Sequence, residues 1–475
     1  MDFSDRSDYT GFAKKCKKCH TKVDQDKMKQ TKEMDMLHGG LAGKLIVFAI
    51  PLACSSILQQ LFNSADVAVV GRFAGDQALA AVGSCVALVG IFVNLIVGLS
   101  VGPNAVVANL IGQKKREQIN GVLHTIMAFG MLLGLVLMLL GMLSARVILE
   151  ASGTPESVLG MALLYIRIYF LSIPFMLIYN FGSAILRSYG DSRRPMYYLL
   201  FSGIVNVILN LVLVICFQLG VAGVAIATFI SNILSASLTV LHLYRRNDEF
   251  RFRFRNLRIR WDELKNVLII GVPAGIQGAI FSISNVFIQS GINSFGENAI
   301  AGSSLALNFE YFTYDIAAAF AQAAVTFTSQ NYGAKNLKRC RRVFWECMLF
   351  GIVFTEILCV VFMVWDDFFV SIYTTSSAVA AYGIIRMHHV CSLEGLCATY
   401  EVESAALRGM GRSLAPSIIT VIGTVVFRLV WMVTVFRRFP TYEMLMNVYV
   451  ASWIFTGVAT FVVYAIVQRK LEKTA

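Results

Sequence analysis

The chain has 475 residues, of which 57% are hydrophobic and only 15% are charged, and its formal net charge is +12. This composition excludes an ordinary soluble domain of the same length. It is typical of an integral membrane protein, in which an excess of Lys and Arg marks the loops on one side of the bilayer.

The first 43 residues are predicted to form a polar, Lys-rich cytoplasmic tail without the apolar core of a signal peptide. Cys16-Lys17-Lys18-Cys19-His20 has the spacing of a haem-attachment motif, but that chemistry belongs outside the cytoplasm. A single Cys-x-x-Cys pair is also a weak zinc signal. We interpret Met28 as an alternative start, and on that interpretation the residues before it are not translated. The remaining cysteines show no pairing pattern, and no disulfide is predicted.

Apolar segments of roughly 20 residues or more, each long enough to cross a ~30 Å hydrocarbon core, follow one another along the rest of the chain. We count about twelve, at residues 44–70, 78–111, 119–148, 157–186, 195–217, 221–244, 264–294, 299–331, 341–365, 378–407, 416–436 and 444–468. Gly, Pro and Asn inside several of them predict irregular or cavity-lining helix. The predicted fold class is an all-α integral membrane protein of about twelve transmembrane helices.

An internal repeat divides these segments into two halves. Leu186-Arg187 and Leu407-Arg408 are separated by the same 221 residues as Gly112 and Gly333, whereas Pro51 and Pro273 are separated by 222. Such a repeat predicts duplicated bundles with a site between them. We predict a six-helix bundle at 44–244, a basic cytoplasmic linker at 245–263, a second six-helix bundle at 264–468 and a cytoplasmic tail at 469–475.

The distribution of Lys and Arg predicts that both termini are cytoplasmic, because about 34 of the 41 basic residues then fall on cytoplasmic segments. The run from Arg245 to Arg260 could also bind nucleic acid. An alternating Arg-Phe pattern beside a bilayer more often contacts anionic lipid headgroups. Each half holds an even number of spans, so the two halves are expected to be related by an axis along the membrane normal.

Ionisable residues inside the spans are the functional candidates, because a charge at a helix centre costs roughly 2.5–3.5 kcal/mol and usually faces a cavity or a partner. In the first span Gln59, Asn63 and Asp66 are predicted to share one helix face that can hydrate, bind a cation or exchange a proton. The alternative is an acid that is simply solvated near the end of the helix.

The second half carries different acids. Glu310 and Tyr314 are four residues apart and share a face, and Tyr311 lies beside them. Glu394 and Glu401 are seven apart and also share a face. The alternative for that span is an internal polar network, in which Arg386, His388 and His389 neutralise the glutamates.

Several motifs taken together resemble the multidrug and toxic compound extrusion (MATE) family. They are Leu58-Gln59-Gln60-Leu61-Phe62-Asn63-Ser64-Ala65-Asp66, Ala78-Leu79-Ala80-Ala81-Val82-Gly83, Gly112-Gln113-Lys114 and Leu186-Arg187-Ser188-Tyr189-Gly190-Asp191, with their second-half copies. The resemblance covers residues 34–470 and is strongest to the bacterial branch whose first span carries the aspartate, often called DinF-like. It implies two six-helix bundles around a central cavity, in a bacterial cytoplasmic (inner) membrane.

The resemblance also implies roles for individual residues. Asp66, with Asn63 beside it, matches the coupling-ion site of the first helix, and Asn180 matches a polar partner on the fourth. Where family members often carry Asn-x-x-x-Asp on the fifth span, this chain has Asn206 and Asn210. Asn210 cannot exchange a proton but can coordinate a cation through its amide oxygen. The coupling ion, H⁺ or Na⁺, therefore stays open, and no metal beyond a possible Na⁺ at Asp66 and no cofactor is predicted.

The predicted function is H⁺- or Na⁺-coupled export of amphipathic organic cations or drugs by alternating access. Gln59, Glu310, Tyr311, Tyr314 and Glu401 are the predicted cargo contacts, and the aromatic members supply cation–π interactions. The chain is expected to be a monomer in contact with membrane lipid. One alternative is a lipid-linked saccharide flippase or metabolite exporter of the same superfamily, whose cavity would carry several inward-facing arginines. A membrane enzyme or receptor is a further alternative, although no nucleophile or metal spacing supports it.

Overall fold

The computed structural model describes residues 34–474, apart from the side chains of residues 283 and 474. The motif at Cys16–His20 and the alternative start at Met28 lie outside the described residues. Within that range every regular element is a helix. Residues from 36 onward form one compact unit.

The first half contains eight helices, some of which pair end to end to make one predicted span. They are α1 (Ala42–Phe73), α2 (Asp76–Leu99), α3 (Val101–Gly112), α4 (Arg116–Ala151), α5 (Glu156–Phe170), α6 (Ile173–Ser188), α7 (Arg193–Leu211) and α8 (Gly220–Arg245).

The second half repeats this order with more interruptions. Its helices are α9 (Trp261–Asn293), α10 (Glu297–Gly333), α11 (Leu337–Val364), α12 (Asp366–Ser371), α13 (Ser377–Val390), α14 (Gly395–Gly409), α15 (Leu414–Val421), α16 (Phe427–Trp431) and α17 (Tyr442–Thr474). π-Helical segments occupy Val212–Cys216 after α7, and Ile422–Val426 and Met432–Phe436 on either side of α16.

In the described part of the chain, nine helical segments are long and apolar enough to cross a membrane. The α5–α6 pair, bent by 42°, makes a tenth. The two remaining predicted spans correspond to α10 and to α13 with α14. Length and apolarity alone do not identify these two, because α10 carries Glu310 and Asp315 and the α13–α14 pair is interrupted between Val390 and Gly395.

Two of the breaks have a simple covalent cause. Pro103 lies in the first turn of α3 and Pro174 in the first turn of α6. Proline lacks the backbone N–H and clashes with the carbonyl four residues earlier, so the preceding helix ends or bends there. The continuous spans predicted at 78–111 and 157–186 are therefore helix pairs.

One contact between the two halves lies beside the basic loops, where glycines let backbones touch. A Cβ on Gly112, at the end of α3, would lie 1.9 Å from the carbonyl oxygen of Gln330 in α10. A Cβ on Gly333, at the end of α10, would lie 2.2 Å from the carbonyl oxygen of Asn109 in α3. Gly112 and Gly333 are repeat equivalents, and so are Asn109 and Gln330. The contact is therefore made twice, once from each half.

The segment between the halves packs against the first half. Phe250 and Phe252 are buried, and Phe252 stacks on His124 of α4 at 5.4 Å between ring centroids. The side-chain amide of Asn120 donates to the carbonyl oxygens of Glu249, at 3.1 Å, and Arg251, at 3.0 Å. In the Arg-Phe alternation the phenylalanines therefore anchor this segment to the protein.

Candidate functional site

Asp66 lies near the end of α1 and faces two other helices. Its Oδ1 accepts a hydrogen bond from Nδ2 of Asn210 in α7. Its Oδ2 accepts one from the hydroxyl of Thr228 in α8, at 3.3 Å. Asn206 lies one turn before Asn210, and the hydrogen-bonding pattern around its side-chain amide favours the orientation with oxygen and nitrogen exchanged. In that orientation Asn206 Nδ2 donates to Asp66 Oδ1 at 2.8 Å.

The helix packing around this carboxylate depends on a glycine. A Cβ on Gly203 of α7 would lie 1.9 Å from the ring of Phe62 in α1, so only glycine allows this approach. Gly203 precedes Asn206 by one turn and Phe62 precedes Asp66 by one turn. The contact therefore brings the Asp66 carboxylate within hydrogen-bonding distance of α7.

The structure brings together three of the five predicted coupling-site residues, which are Asp66, Asn206 and Asn210. Asn63 is exposed, and its side chain makes no hydrogen bond within the described residues. Asn180 donates its amide to the carbonyl oxygen of Met176 in its own helix, at 2.8 Å, and makes no hydrogen bond to Asp66. Thr228 was missed by sequence reasoning, because an isolated Thr in an apolar helix usually bonds only to its own backbone.

Glu310 in α10 forms a buried ion pair with Arg386 in α13. Arg386 Nε donates to Oε1 at 2.5 Å and Nη2 donates to Oε2 at 2.7 Å, and the two side chains are 3% and 8% exposed. Arg386 Nη1 also donates to the hydroxyl of Ser303 at 2.5 Å. Both oxygens of Glu310 are thus occupied by a guanidinium, and its charge is neutralised without a bound cation.

The polar network predicted for the tenth span exists, but with different pairs. Arg386 neutralises Glu310 and not the glutamates of its own span. His388 contacts Asp366 at 2.7 Å, and His389 contacts a backbone carbonyl. The expectation that these three residues neutralise Glu394 and Glu401 is wrong, because the interruption after Val390 separates α13 from α14.

Glu394 lies at that interruption and is buried. Its Oε2 accepts from the hydroxyl of Thr313 at 2.5 Å and from the thiol of Cys359 at 3.7 Å. Cys359, Cys391 and Glu394 place their potential ligand atoms within 4.8 Å of one another. Two sulfurs and one carboxylate suit a soft divalent ion such as Zn²⁺. Sequence spacing does not predict this group, because its members come from two different spans.

The remaining predicted cargo contacts are dispersed. Tyr314 donates its hydroxyl to Glu401 Oε1 at 3.2 Å, which joins α10 to α14. Tyr311 is 41% exposed, and its side chain makes no hydrogen bond within the described residues. Gln59 is exposed and makes no hydrogen bond within the described part of the chain. The structure therefore pairs Tyr314 with Glu401, pairs Glu310 with Arg386, and leaves Gln59 and Tyr311 outside both pairs.

Two arginines of the second half keep unpaired nitrogens. Arg428 is 1% exposed, donates Nε to the hydroxyl of Ser452 at 3.2 Å, and lies 4.7 Å from the ring centroid of Tyr449. Its Nη1 has no hydrogen-bond partner among residues 34–474. Arg408 donates Nη2 to Gln277 at 2.6 Å, and its Nε has no hydrogen-bond partner in the described part of the chain.

The acids thus differ in how their charge is balanced. Glu310 has a guanidinium, whereas the three groups that donate to Asp66 are neutral amides and a hydroxyl. Asp66 forms no ion pair within the described residues. A carboxylate inside a membrane protein without a basic partner needs a proton or a bound cation to offset its charge. The Asp66 site can therefore accept either one.

Comparison with known proteins supports the repeat and the fold. A family model described as MatE matches residues 51–212 and again residues 273–434, at a spacing of 222 residues. The probable multidrug resistance protein YoeA of Bacillus subtilis is 28% identical over 384 residues, which is 79% of this chain and 82% of that protein.

The probable multidrug resistance protein NorM of Thermotoga maritima is 24% identical, over 80% of this chain and 82% of that protein. A crystal structure described as MATE in complex with MaL6 superposes with a TM-score of 0.87. It covers 94% of this chain and all of its own, at 21% identity. The predicted all-helical fold with duplicated halves is confirmed.

Proposed function

The chain belongs to the MATE family of membrane transporters, and from this premise we propose that it exports amphipathic organic cations or drugs in exchange for inward-moving H⁺ or Na⁺. It is a multi-pass membrane protein and a transporter, not an enzyme. Relatives named as probable multidrug resistance proteins support a drug-like cargo.

The observation that carries the proposal is the Asp66 carboxylate, which accepts hydrogen bonds from neutral groups but forms no ion pair within the described residues. In the outward-facing state a proton or Na⁺ that neutralises Asp66 would weaken the attraction for a cationic cargo and release it. On the cytoplasmic side, loss of the ion would restore the negative charge. Asn206, Asn210 and Thr228 would support both states, because amides and hydroxyls can donate to a carboxylate and can offer oxygen to a cation.

Glu310 is assigned a different role. Its carboxylate is already held by Arg386, so it adds no net charge to attract a cargo. We assign the Glu310–Arg386 pair to the structure of the second half, and we keep Tyr314 with Glu401 as candidate cargo contacts. The distribution of Lys and Arg supports an orientation with both termini cytoplasmic, in a bacterial inner membrane. We propose that the protein acts as a monomer and without a cofactor.

The test is dye transport in everted vesicles, where efflux from the cytoplasmic face is measured as uptake into the lumen, with a proton gradient and a sodium gradient imposed separately. Asp66→Asn should abolish gradient-driven efflux at equal expression, because the amide cannot bind a proton or balance a cation. Asp76→Asn is the matched control, since Asp76 is an exposed carboxylate at the start of α2. Retained efflux in Asp66→Asn would exclude Asp66 as the coupling residue.

A second candidate is export of an anionic cargo, such as a lipid-linked saccharide. The unpaired nitrogens of Arg408 and Arg428 favour it, because a buried guanidinium with free donors suits phosphate or carboxylate. The two functions separate in one experiment. Binding of a cationic dye that survives Arg408→Gln but fails in Asp66→Asn supports the cation exporter, whereas binding of an anionic dye that survives Asp66→Asn but fails in Arg408→Gln supports the anion exporter.

A further inference from the structure

A groove of about 790 Å³ lies between the beginning of α11 and the end of α17, away from the coupling site. Its basic residues are Lys338, Arg341 and Arg342. Arg341 reaches Glu472 of α17 only at 3.9 Å, and the two arginine side chains are each 61% exposed. Lys338 forms no ion pair within the described part of the chain. The carboxylates of the groove are Glu472 and Glu346, which pairs with Arg342 at 2.5 Å. The groove therefore offers two cationic side chains, Lys338 and Arg341, that no protein carboxylate fully occupies.

The lining changes in character along α11. After the basic residues come Trp345, 49% exposed, and Leu349, 57% exposed. Lys338 and Leu349 are eleven residues apart, which is about 16 Å along a helix. Cations come first, an aromatic ring next and an aliphatic side chain last. A phospholipid presents phosphate, ester region and acyl chain in the same order and over a similar depth.

The apolar surface continues beyond the groove. Val353, Ile357, Val360 and Val364 follow at helical spacing and are 41%, 55%, 49% and 64% exposed. In a membrane protein such a stripe faces lipid chains. An acyl chain that enters the groove at Leu349 would thus lie against a continuous apolar track.

The tryptophan is held in place by its neighbours. Trp345 packs on Phe344 with ring centroids 5.0 Å apart and lies 6.1 Å from Phe461 of α17. Phe344 itself stacks on Tyr464 at 3.9 Å. Trp345, which lines the groove, is therefore held by an aromatic cluster that joins α11 to α17.

We propose that this groove binds an anionic phospholipid, with its phosphate at Lys338, Arg341 and Arg342 and one acyl chain along Trp345 and Leu349. The amino-terminal end of α11 adds the positive end of a helix dipole to the same place. Glu346 holds Arg342 at 2.5 Å, which fixes one guanidinium while Lys338 and Arg341 stay available.

The test uses the full chain, purified in detergent and stripped of lipid. Native mass spectrometry measures binding of phosphatidylglycerol, phosphatidylcholine and soluble glycerophosphate. Wild type should bind one phosphatidylglycerol more tightly than phosphatidylcholine. Lys338→Gln/Arg341→Gln/Arg342→Gln should weaken that binding by at least about tenfold, since each basic side chain near a membrane surface contributes about fivefold. The single variant Lys338→Glu, which breaks no ion pair, should weaken it in the same direction.

The matched control is Lys114→Gln/Lys115→Gln/Arg193→Gln, which removes the same charge from exposed residues of the first half, outside both the groove and the Arg-Phe linker. It should leave the tight phosphatidylglycerol site intact. Equal losses in the two triple variants would overturn the proposal, because binding would then follow net charge. If soluble glycerophosphate displaces phosphatidylglycerol, the groove binds a phosphate group without an acyl chain, and the proposal is wrong. Equal binding of phosphatidylcholine would also overturn it.

A second measurement locates the acyl chain. Phosphatidylglycerol with brominated chains should quench tryptophan fluorescence, and the part contributed by Trp345 should disappear in Trp345→Phe. Unchanged quenching in that variant would place the lipid elsewhere.

Discussion

Removal of Arg386 gives the sharpest test of the division between structural and functional acids. In Arg386→Met the buried Glu310 loses two charge-assisted hydrogen bonds, of 2.5 and 2.7 Å, and Ser303 loses its partner. Breaking one side of a buried ion pair costs about 3–5 kcal/mol. The unfolding equilibrium should therefore shift by a factor of roughly 150 to 5,000.

The measurement is equilibrium unfolding in mixed detergent micelles, followed by circular dichroism. Arg167→Met is the control, because Arg167 lies in a span but is exposed and forms no ion pair within the described residues. It should change stability by less than about 0.5 kcal/mol. The double variant Glu310→Met/Arg386→Met should recover most of the loss, since no unpaired charge remains.

If Arg386→Met unfolds like wild type, the pair does not stabilise the second half. Glu310 would then return as a candidate cargo contact. If the double variant is as unstable as Arg386→Met, the loss comes from packing and not from the unpaired carboxylate.

Three further predictions concern contacts between helices and between the linker and the first half. Gly203→Val should destabilise the protein by about 1–3 kcal/mol and lower efflux, because its side chain meets the ring of Phe62; Phe62→Ala should restore thermal stability, and failure of that rescue would contradict the contact. Asn120→Ala should speed trypsin cleavage of the linker several-fold, since the amide holds two linker carbonyls at about 1 kcal/mol each; an unchanged rate in limited proteolysis would refute it. Gly112→Leu should separate α3 from α10, because the new side chain meets the backbone of Gln330. Distances between spin labels on those two helices, measured by pulsed EPR, should lengthen. An unchanged distance distribution would contradict the prediction.

Much of the fold was predictable because the membrane restricts backbone structure. Segments that must satisfy all their hydrogen bonds internally are helices, and apolar length locates most of them. The breaks at α3 and α6 were also present in the sequence, as Pro103 and Pro174. The π-helical segments beside α16 carry no comparable signal, since one inserted residue in a helix leaves no characteristic composition.

The candidate site was predictable only in part. Asn206 and Asn210 are four apart and both reach Asp66, as helical spacing allows. Asn63 was grouped with Asp66, yet three residues on a helix differ by about 60° in direction, which is enough to expose one and half-bury the other. The pairing of Glu310 with Arg386 joins residues 76 apart, and no spacing rule connects them.

The glycine contact between α3 and α10 has a consequence for how such a chain can arise. Gly112 touches the carbonyl of Gln330, and Gly333 touches the carbonyl of the equivalent Asn109. Reciprocal contact of this kind defines the isologous interface of a two-fold homodimer. A half-length chain would make the same contact with a second copy of itself, using one glycine and one carbonyl per subunit. Fusion into a single polypeptide keeps that interface and frees each half to carry its own acids, so Asp66 and Glu310 need no counterpart across the axis.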